Sequence, residues 1–213
     1  GDDGNRESET GVPSRMRVLG HLLEDIAAHG NRLTTGDVGN RYLIQALARS
    51  GRDEVVYRMF NHEEAPGYGF QLKFGATTLT EQWDPRQGSS WNHFMMGQID
   101  EWSLAGIRPD AAGLDGHDYL TGARPGYRHF VIAPKPVGDL SFVKATYETL
   151  YGKITVDWTR KGGKFILNLS VPVNTVAKVY LPDGKAPQEV QSGSYRFIVD
   201  EEAFVGINGD ISH

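Results

Sequence analysis

The apolar positions of this chain change period about halfway along. Between residues 15 and 104 they recur at three- and four-residue spacing, which predicts helices. In the helix predicted over 15–29, Met16, Leu19, Leu22, Leu23 and Ile26 share one face, and Gly30 stands where a C-terminal cap belongs. A second helix is predicted over 36–49. Thr34 and Thr35 are its candidate caps, Leu43, Ala46 and Leu47 its apolar stripe, and Ser50-Gly51 its end. A third, over 54–60, buries Val55, Val56, Met59 and Phe60. A fourth, over 90–104, brings Phe94, Met95, Ile99 and Trp102 to one side. No period persists from 63 to 89, where Gly67, Gly69, Gly75 and Pro85 interrupt a stretch carrying Tyr68, Phe70, Phe74 and Trp83.

Residues 106–127 are rich in Gly, Pro and Asp and read as a linker or long loop. Beyond them the period is two. Strands are predicted over 130–132, 140–147, 153–158, 164–171, 176–181 and 195–199. Ile154, Val156 and Trp158 form the apolar side of one strand, and Phe165, Leu167, Leu169 and Val171 that of the next. Lys161-Gly162-Gly163 makes the hairpin turn between them, and Asp183-Gly184 a second turn. Helices first and strands afterwards exclude an alternating α/β fold and predict an α+β chain of two units. The organisation expected is a polar leader over 1–14, a helical unit over 15–107, a linker over 108–125 and a strand unit over 126–213.

Composition narrows the function classes. A net charge of -5 provides no basic field for nucleic acid or an anionic membrane. No apolar run reaches the roughly 20 residues that span a bilayer. With no Cys, disulfides and thiolate metal sites are excluded. His62-Glu63-Glu64 and the Asp115, His117, Asp118 cluster carry metal-ligand types, but in polar contexts that read as solvated loop. Gly36-Asp37-Val38-Gly39 lacks the preceding strand of a dinucleotide loop and reads as a helix entry.

Two segments hold the candidate chemistry. In GATTLTEQWD, residues 75–84, Glu81 and Asp84 flank Trp83 in a Gly-rich, aromatic-rich loop. An indole offers an apolar face to a pyranose and carboxylates accept from its hydroxyls. The same residues also fit a packing Trp83 with a surface Glu81. In SSWNHFMMG, residues 89–97, Asn92 and His93 open the fourth predicted helix, where His93 is either a ligand-facing donor or a capped, buried histidine.

Together these segments resemble the end of the catalytic domain of bacterial α-L-rhamnosidases. NRLTTGDVGNRYLIQALARSGR upstream and LAGIRPD downstream extend the likeness, and the region from PGYRHFVIAPKPVGD to NTVAKVYLP is similar to the β-sandwich that closes these enzymes. The resemblance covers most of 15–182. It implies the end of an (α/α) six-hairpin barrel followed by an antiparallel β-sandwich, and hydrolysis of terminal α-L-rhamnosides with inversion. It implies no metal or organic cofactor. Glu81 matches the family's general base, His93 a residue that hydrogen-bonds rhamnose, and Trp83 and Asp84 the residues beside the base. The implied partners are rhamnose-containing glycosides or polysaccharides, with neither nucleic acid nor membrane.

The chain departs from the family pattern at Thr80, where an aromatic is common, and over 111–124, which resemble an insertion. At about 11–12 residues per helix and about 4–6 per connection, six helical hairpins need roughly 200 residues. Residues 15–107 supply about half of that, and no counterpart of the family's general-acid segment is recognisable. The expectation is a C-terminal part of such an enzyme that works with a missing N-terminal part. The second reading is a non-catalytic carbohydrate-binding or structural module derived from one.

Overall fold

The computed structural model describes residues 14–64, 66–88, 90–94, 97, 99, 102, 106–109 and 125–204. The leader, most of the predicted linker and the Asp115, His117, Asp118 cluster lie outside them.

Helix α1 runs Ser14–Ala28, α2 Asp37–Arg49 and α3 Asp53–Phe60. The first two end in the same paired hydrogen bonds. Gly30 N–H donates to the Ala27 carbonyl and Asn31 N–H to that of Ile26; Gly51 N–H donates to Ala48 and Arg52 N–H to Leu47. This six-to-one, five-to-two pattern takes up carbonyls that a helix end leaves without partners. Neither Thr34 nor Thr35 caps α2. Gly36 holds the N-cap position and has no side chain to cap with, while the Thr35 carbonyl accepts from Trp83 Nε1–H. Ile26, Leu33, Leu43, Ile44, Leu47, Val55, Val56, Met59, Phe60 and Trp102 form the helical core. Met16 is exposed, and Ile44 rather than Ala46 completes the α2 stripe.

A further short helix, α4 at Tyr68–Lys73, interrupts the stretch read as irregular. Gly67 and Gly69 look like breakers in sequence but serve close packing here. A Cβ on either would lie 2.7 or 2.6 Å from the His62 carbonyl oxygen.

The strand unit is a sandwich of two four-stranded sheets. One has the order β1 (Ile107–Pro109), β2 (His129–Ile132), β6 (Val176–Val179), β7 (Gln188–Val190). The other has β3 (Phe142–Thr149), β4 (Gly152–Lys161), β5 (Lys164–Val171), β8 (Gly193–Asp200). Pairing is antiparallel apart from β2 with β6. Strands β1 and β7 lie outside the predicted set; each has three residues, too few to show alternation. Consequently residues 107–109, at the start of the predicted linker, are hydrogen-bonded to β2.

Register carries the alternation into one core. Val156 pairs with Leu169 and Trp158 with Leu167, so the apolar sides of β4 and β5 turn inward together. Phe130, Ile132, Ala177 and Val179 meet them from the other sheet. The β4–β5 turn places Gly162 at φ 60° and Gly163 at φ 70°, as the tightest hairpin requires.

The loop after β2 joins the two units. Val137 inserts into the helical core beside α3, while Leu140, three residues on, touches both cores.

Candidate functional site

Two backbone segments zip together around the candidate residues. His93 N–H donates to the Leu79 carbonyl at 2.9 Å, and Glu81 N–H to the Ser90 carbonyl at 2.9 Å. The reversal that makes this possible is local. Asp84 accepts from Arg86 N–H at 3.0 Å and caps a 3-10 turn over Pro85–Gln87, and Gly88, at φ 76°, turns the chain back. Within the paired strip Thr80 points inward. It is fully buried, with its hydroxyl donating to the Gln82 carbonyl at 2.6 Å. A small hydroxyl side chain thus fills the place where the resemblance led to an aromatic.

The pairing puts the Glu81 and His93 segments in one hydrogen-bonded strip. Glu81 is half-buried, and its Oε2 accepts from Ser90 N–H at 3.2 Å. That bond holds one of the two carboxylate oxygens. The His93 ring stacks on Phe94 with centroids 6.0 Å apart, and its Nδ1 is buried without a hydrogen-bond partner among the described residues. Buried polar atoms are normally satisfied, so the unpaired Nδ1 keeps His93 a candidate for ligand binding.

The other two sequence candidates are engaged differently. Trp83 donates Nε1–H to the Thr35 carbonyl at 3.1 Å and meets the Tyr68 ring edge-on at 5.2 Å. Both Asp84 oxygens accept from the Arg86 guanidinium, each at 2.8 Å. These bonds hold the Asp84 carboxyl below the usual carboxylate range. Arg86 in turn lies 4.2 Å over the Phe74 ring. The structure therefore sets Glu81 and His93 on two hydrogen-bonded segments, packs Trp83 against Tyr68 and the helical core, and engages Asp84 in the turn.

Sequence reasoning missed two aromatics at this surface. Trp91 is 44% exposed and Phe94 82% exposed. Phe94 was expected on the buried side of a helix over 90–104. Of the described residues there, Phe94, Gly97 and Ile99 have 3-10 geometry and 90–93 and Trp102 are not helical, so an α-helical phase does not hold. Only exposure would have singled them out, and periodicity carries no such signal for an irregular segment.

Among the described residues no three His, Asp or Glu side chains gather as a metal site. His62 Nε2 meets the Gly30 carbonyl at 2.8 Å, and Glu64 pairs with Arg32. One cleft, of about 240 Å³, is lined at the joint by Asp53, Pro134 and Lys135 among others; another lies by His29 and Pro66; neither is lined by Glu81 or His93.

Comparison with known proteins agrees with this layout. Residues 12–107 match the profile of the bacterial alpha-L-rhamnosidase 6 hairpin glycosidase domain, and 120–196 that of the bacterial alpha-L-rhamnosidase C-terminal domain. An alpha-L-rhamnosidase of Streptomyces avermitilis is 33% identical over 217 residues, covering 88% of this chain and 20% of the relative. A crystal structure of Streptomyces avermitilis alpha-L-rhamnosidase complexed with L-rhamnose superposes with a TM-score of 0.76 at 32% identity, over 89% of this chain and 20% of that one. The native Aspergillus terreus enzyme superposes with a TM-score of 0.77 at 27% identity, over 90% of this chain and 22% of that one. The chain thus spans about one fifth of the length of the relatives it matches. With helical part, sandwich and order all in agreement, the chain belongs to the bacterial alpha-L-rhamnosidase family, as a portion combining the end of the six-hairpin glycosidase domain with the C-terminal domain.

Proposed function

We propose that this chain forms part of an inverting glycoside hydrolase that releases terminal α-L-rhamnose from rhamnosides. The observation that carries the reading is the pairing of residues 79–81 with 90–93. On that strip lie Glu81, whose Oε2 accepts from Ser90 N–H, and His93, whose Nδ1 has no hydrogen-bond partner among the described residues. The L-rhamnose bound by the similar Streptomyces protein supports the sugar.

In this mechanism Glu81 takes a proton from a water as the water oxygen attacks the anomeric carbon. The glycosidic C–O bond breaks on the opposite face, and a second carboxyl, about 6.5–9.5 Å away, protonates the leaving oxygen. His93 donates to or accepts from a rhamnose hydroxyl. Trp83 backs the wall of the pocket, and Asp84 holds the loop in shape through Arg86. Glu64, already paired with Arg32, does not suit the role of acid. We assign the acid, and the facing wall of the pocket, to helices of the six-hairpin domain outside this portion. The substrates are rhamnose-containing glycosides or polysaccharides.

The direct test is Glu81→Gln in the intact enzyme. The amide keeps the shape of the side chain but cannot take a proton. A positioned base contributes about 10²–10⁴-fold, so kcat is expected to fall by that factor with little change in KM. Near-parental kcat in Glu81→Gln would overturn the assignment.

A further inference from the structure

Asp53, the first residue of α3, receives two donors from opposite directions. Its Oδ1 accepts from Trp102 Nε1–H at 2.6 Å, and its Oδ2 from Lys135 Nζ at 2.7 Å. Lys135 belongs to the sandwich loop. Trp102 belongs to the segment that begins beside His93. The pair is partly buried, with the Asp53 side chain 15% and the Lys135 side chain 28% exposed. A carboxylate in the first helical turn is favoured by the helix dipole. Glu54, which accepts from Gly138 N–H at 2.9 Å, meets that need as well. The dipole alone does not call for the two-sided grip of Asp53.

From Trp102 a run of ring contacts leads to the candidate base. Trp102 stacks on Phe60 at 6.2 Å, Phe60 meets Tyr68 at 4.9 Å, and Tyr68 meets Trp83 at 5.2 Å. Trp83 lies two residues from Glu81. Asp53 therefore ties one sandwich side chain, through Trp102 and the run of rings, to Trp83 in the Glu81 segment, while Trp102 follows His93 by nine residues in sequence.

We propose that Asp53 is a positioning residue for the Glu81–His93 site, and that Lys135 of the sandwich sets the placement of that site through it. The inference rests on the functional reading above. It gives the C-terminal domain a part in catalysis without a residue of its own touching the sugar. The physical requirement is that closely packed rings and a partly buried ion pair transmit small displacements instead of absorbing them.

The test uses the intact enzyme, with kcat and KM expressed per folded molecule. Lys135→Met is expected to lower kcat about tenfold or more, toward the roughly 10²-fold that a misplacement of about 1 Å costs. KM should stay within about twofold, since the loss falls mainly on the transition state. Lys135→Arg, which keeps charge and donor, should restore most of the activity. Asp53→Asn keeps an acceptor for Trp102 but loses the charge facing Lys135. Adding Lys135→Met to it should cost little more, because both changes act through one carboxylate. Lys153→Met, which removes an exposed ion pair with Glu148 on the β3–β4 hairpin, serves as the control without effect.

A second readout does not depend on turnover. In the 213-residue chain, Lys135→Met is expected to shift the indole N–H resonances of Trp102 and Trp83 and leave that of Trp158 in place. An unmoved Trp83 resonance overturns the coupling. So does unchanged kcat in Lys135→Met when Glu81→Gln abolishes turnover. If Glu81→Gln itself stays active, the site reading has failed, and the indole shifts alone decide whether Asp53 transmits.

Discussion

Tyr57 on α3 donates its hydroxyl to the Asp139 carboxylate at 2.6 Å, bridging the helical unit and the loop that enters the sandwich. The bond shifts both groups. It holds Asp139 below the usual carboxylate range and, with some burial and the nearby Glu54, pushes Tyr57 up to about 12.

The signs give a pH window for the joint. Asp139 has a folded pKa below its unfolded value, so its contribution is present above about pH 4 and lost as pH falls through the folded pKa. Tyr57 has a folded pKa above its unfolded value, so its contribution is complete below about pH 10 and lost as pH rises toward 12. Thermal unfolding followed from pH 2 to 12 should show a plateau that declines at both ends. In Tyr57→Phe both declines should be reduced. Identical profiles for parent and variant would show that the bond does not contribute to folding.

Gly138 packs directly against the same ring. Its φ is +55°, and a Cβ there would lie 2.2 Å from the Tyr57 ring. Gly138→Ala meets both a backbone penalty and a clash. The expected loss is about 1–3 kcal/mol in urea unfolding, typical of strain at a left-handed position. Tyr57→Ala in the same background should recover part of it by opening space.

Trp158 is fully buried between the sheets and contacts Phe165 at 5.6 Å. Trp158→Ala should cost about 3–5 kcal/mol, the range for a large aromatic lost from a packed core. The loss should appear in amide exchange across β4 and β5 before it appears in α1–α3. An equal, simultaneous loss in the helices would mean that the two units unfold as one.

The 213-residue chain by itself should not turn over an aryl α-L-rhamnoside at a measurable rate. Glu81 can activate water, but protonation of the leaving group is worth about 10²–10⁴-fold and is assigned to residues elsewhere. Robust turnover by the pure chain would place the acid among these residues and refute the proposed division.

His93→Ala in the intact enzyme should raise KM as well as lower kcat, unlike Glu81→Gln, because a sugar contact is lost before the transition state as well as in it. Azide distinguishes the base further. With Glu81→Ala, the small anion fits the space left by the carboxylate and attacks the anomeric carbon from the same face as water. The product expected is the β-rhamnosyl azide. Rescue of His93→Ala by azide, without rescue of Glu81→Ala, would reverse the two roles.

Periodicity alone located α1, α2, α3 and the long strands β3, β4, β5 and β8. Their apolar spacing is regular enough that only one face can be buried. Even the β4–β5 hairpin was legible, since Gly162-Gly163 permits the backbone that two-residue turns need. The motifs around Glu81 and His93 resemble one family, and that resemblance is what makes these residues candidates. Tertiary structure decided the rest. α4 was hidden because Gly67 and Gly69 read as breakers, while their real role is contact with the His62 carbonyl, a residue several positions away. Strands β1 and β7 are too short to alternate and exist only through their partners β2 and β6. The pairing of the Glu81 and His93 segments depends on backbone bonds to Leu79 and Ser90, and Asp84 caps its turn because Arg86 lies within reach of both its oxygens. Spacing along a chain records which side of an element meets the core; which side chains then meet one another depends on contacts that no local pattern encodes.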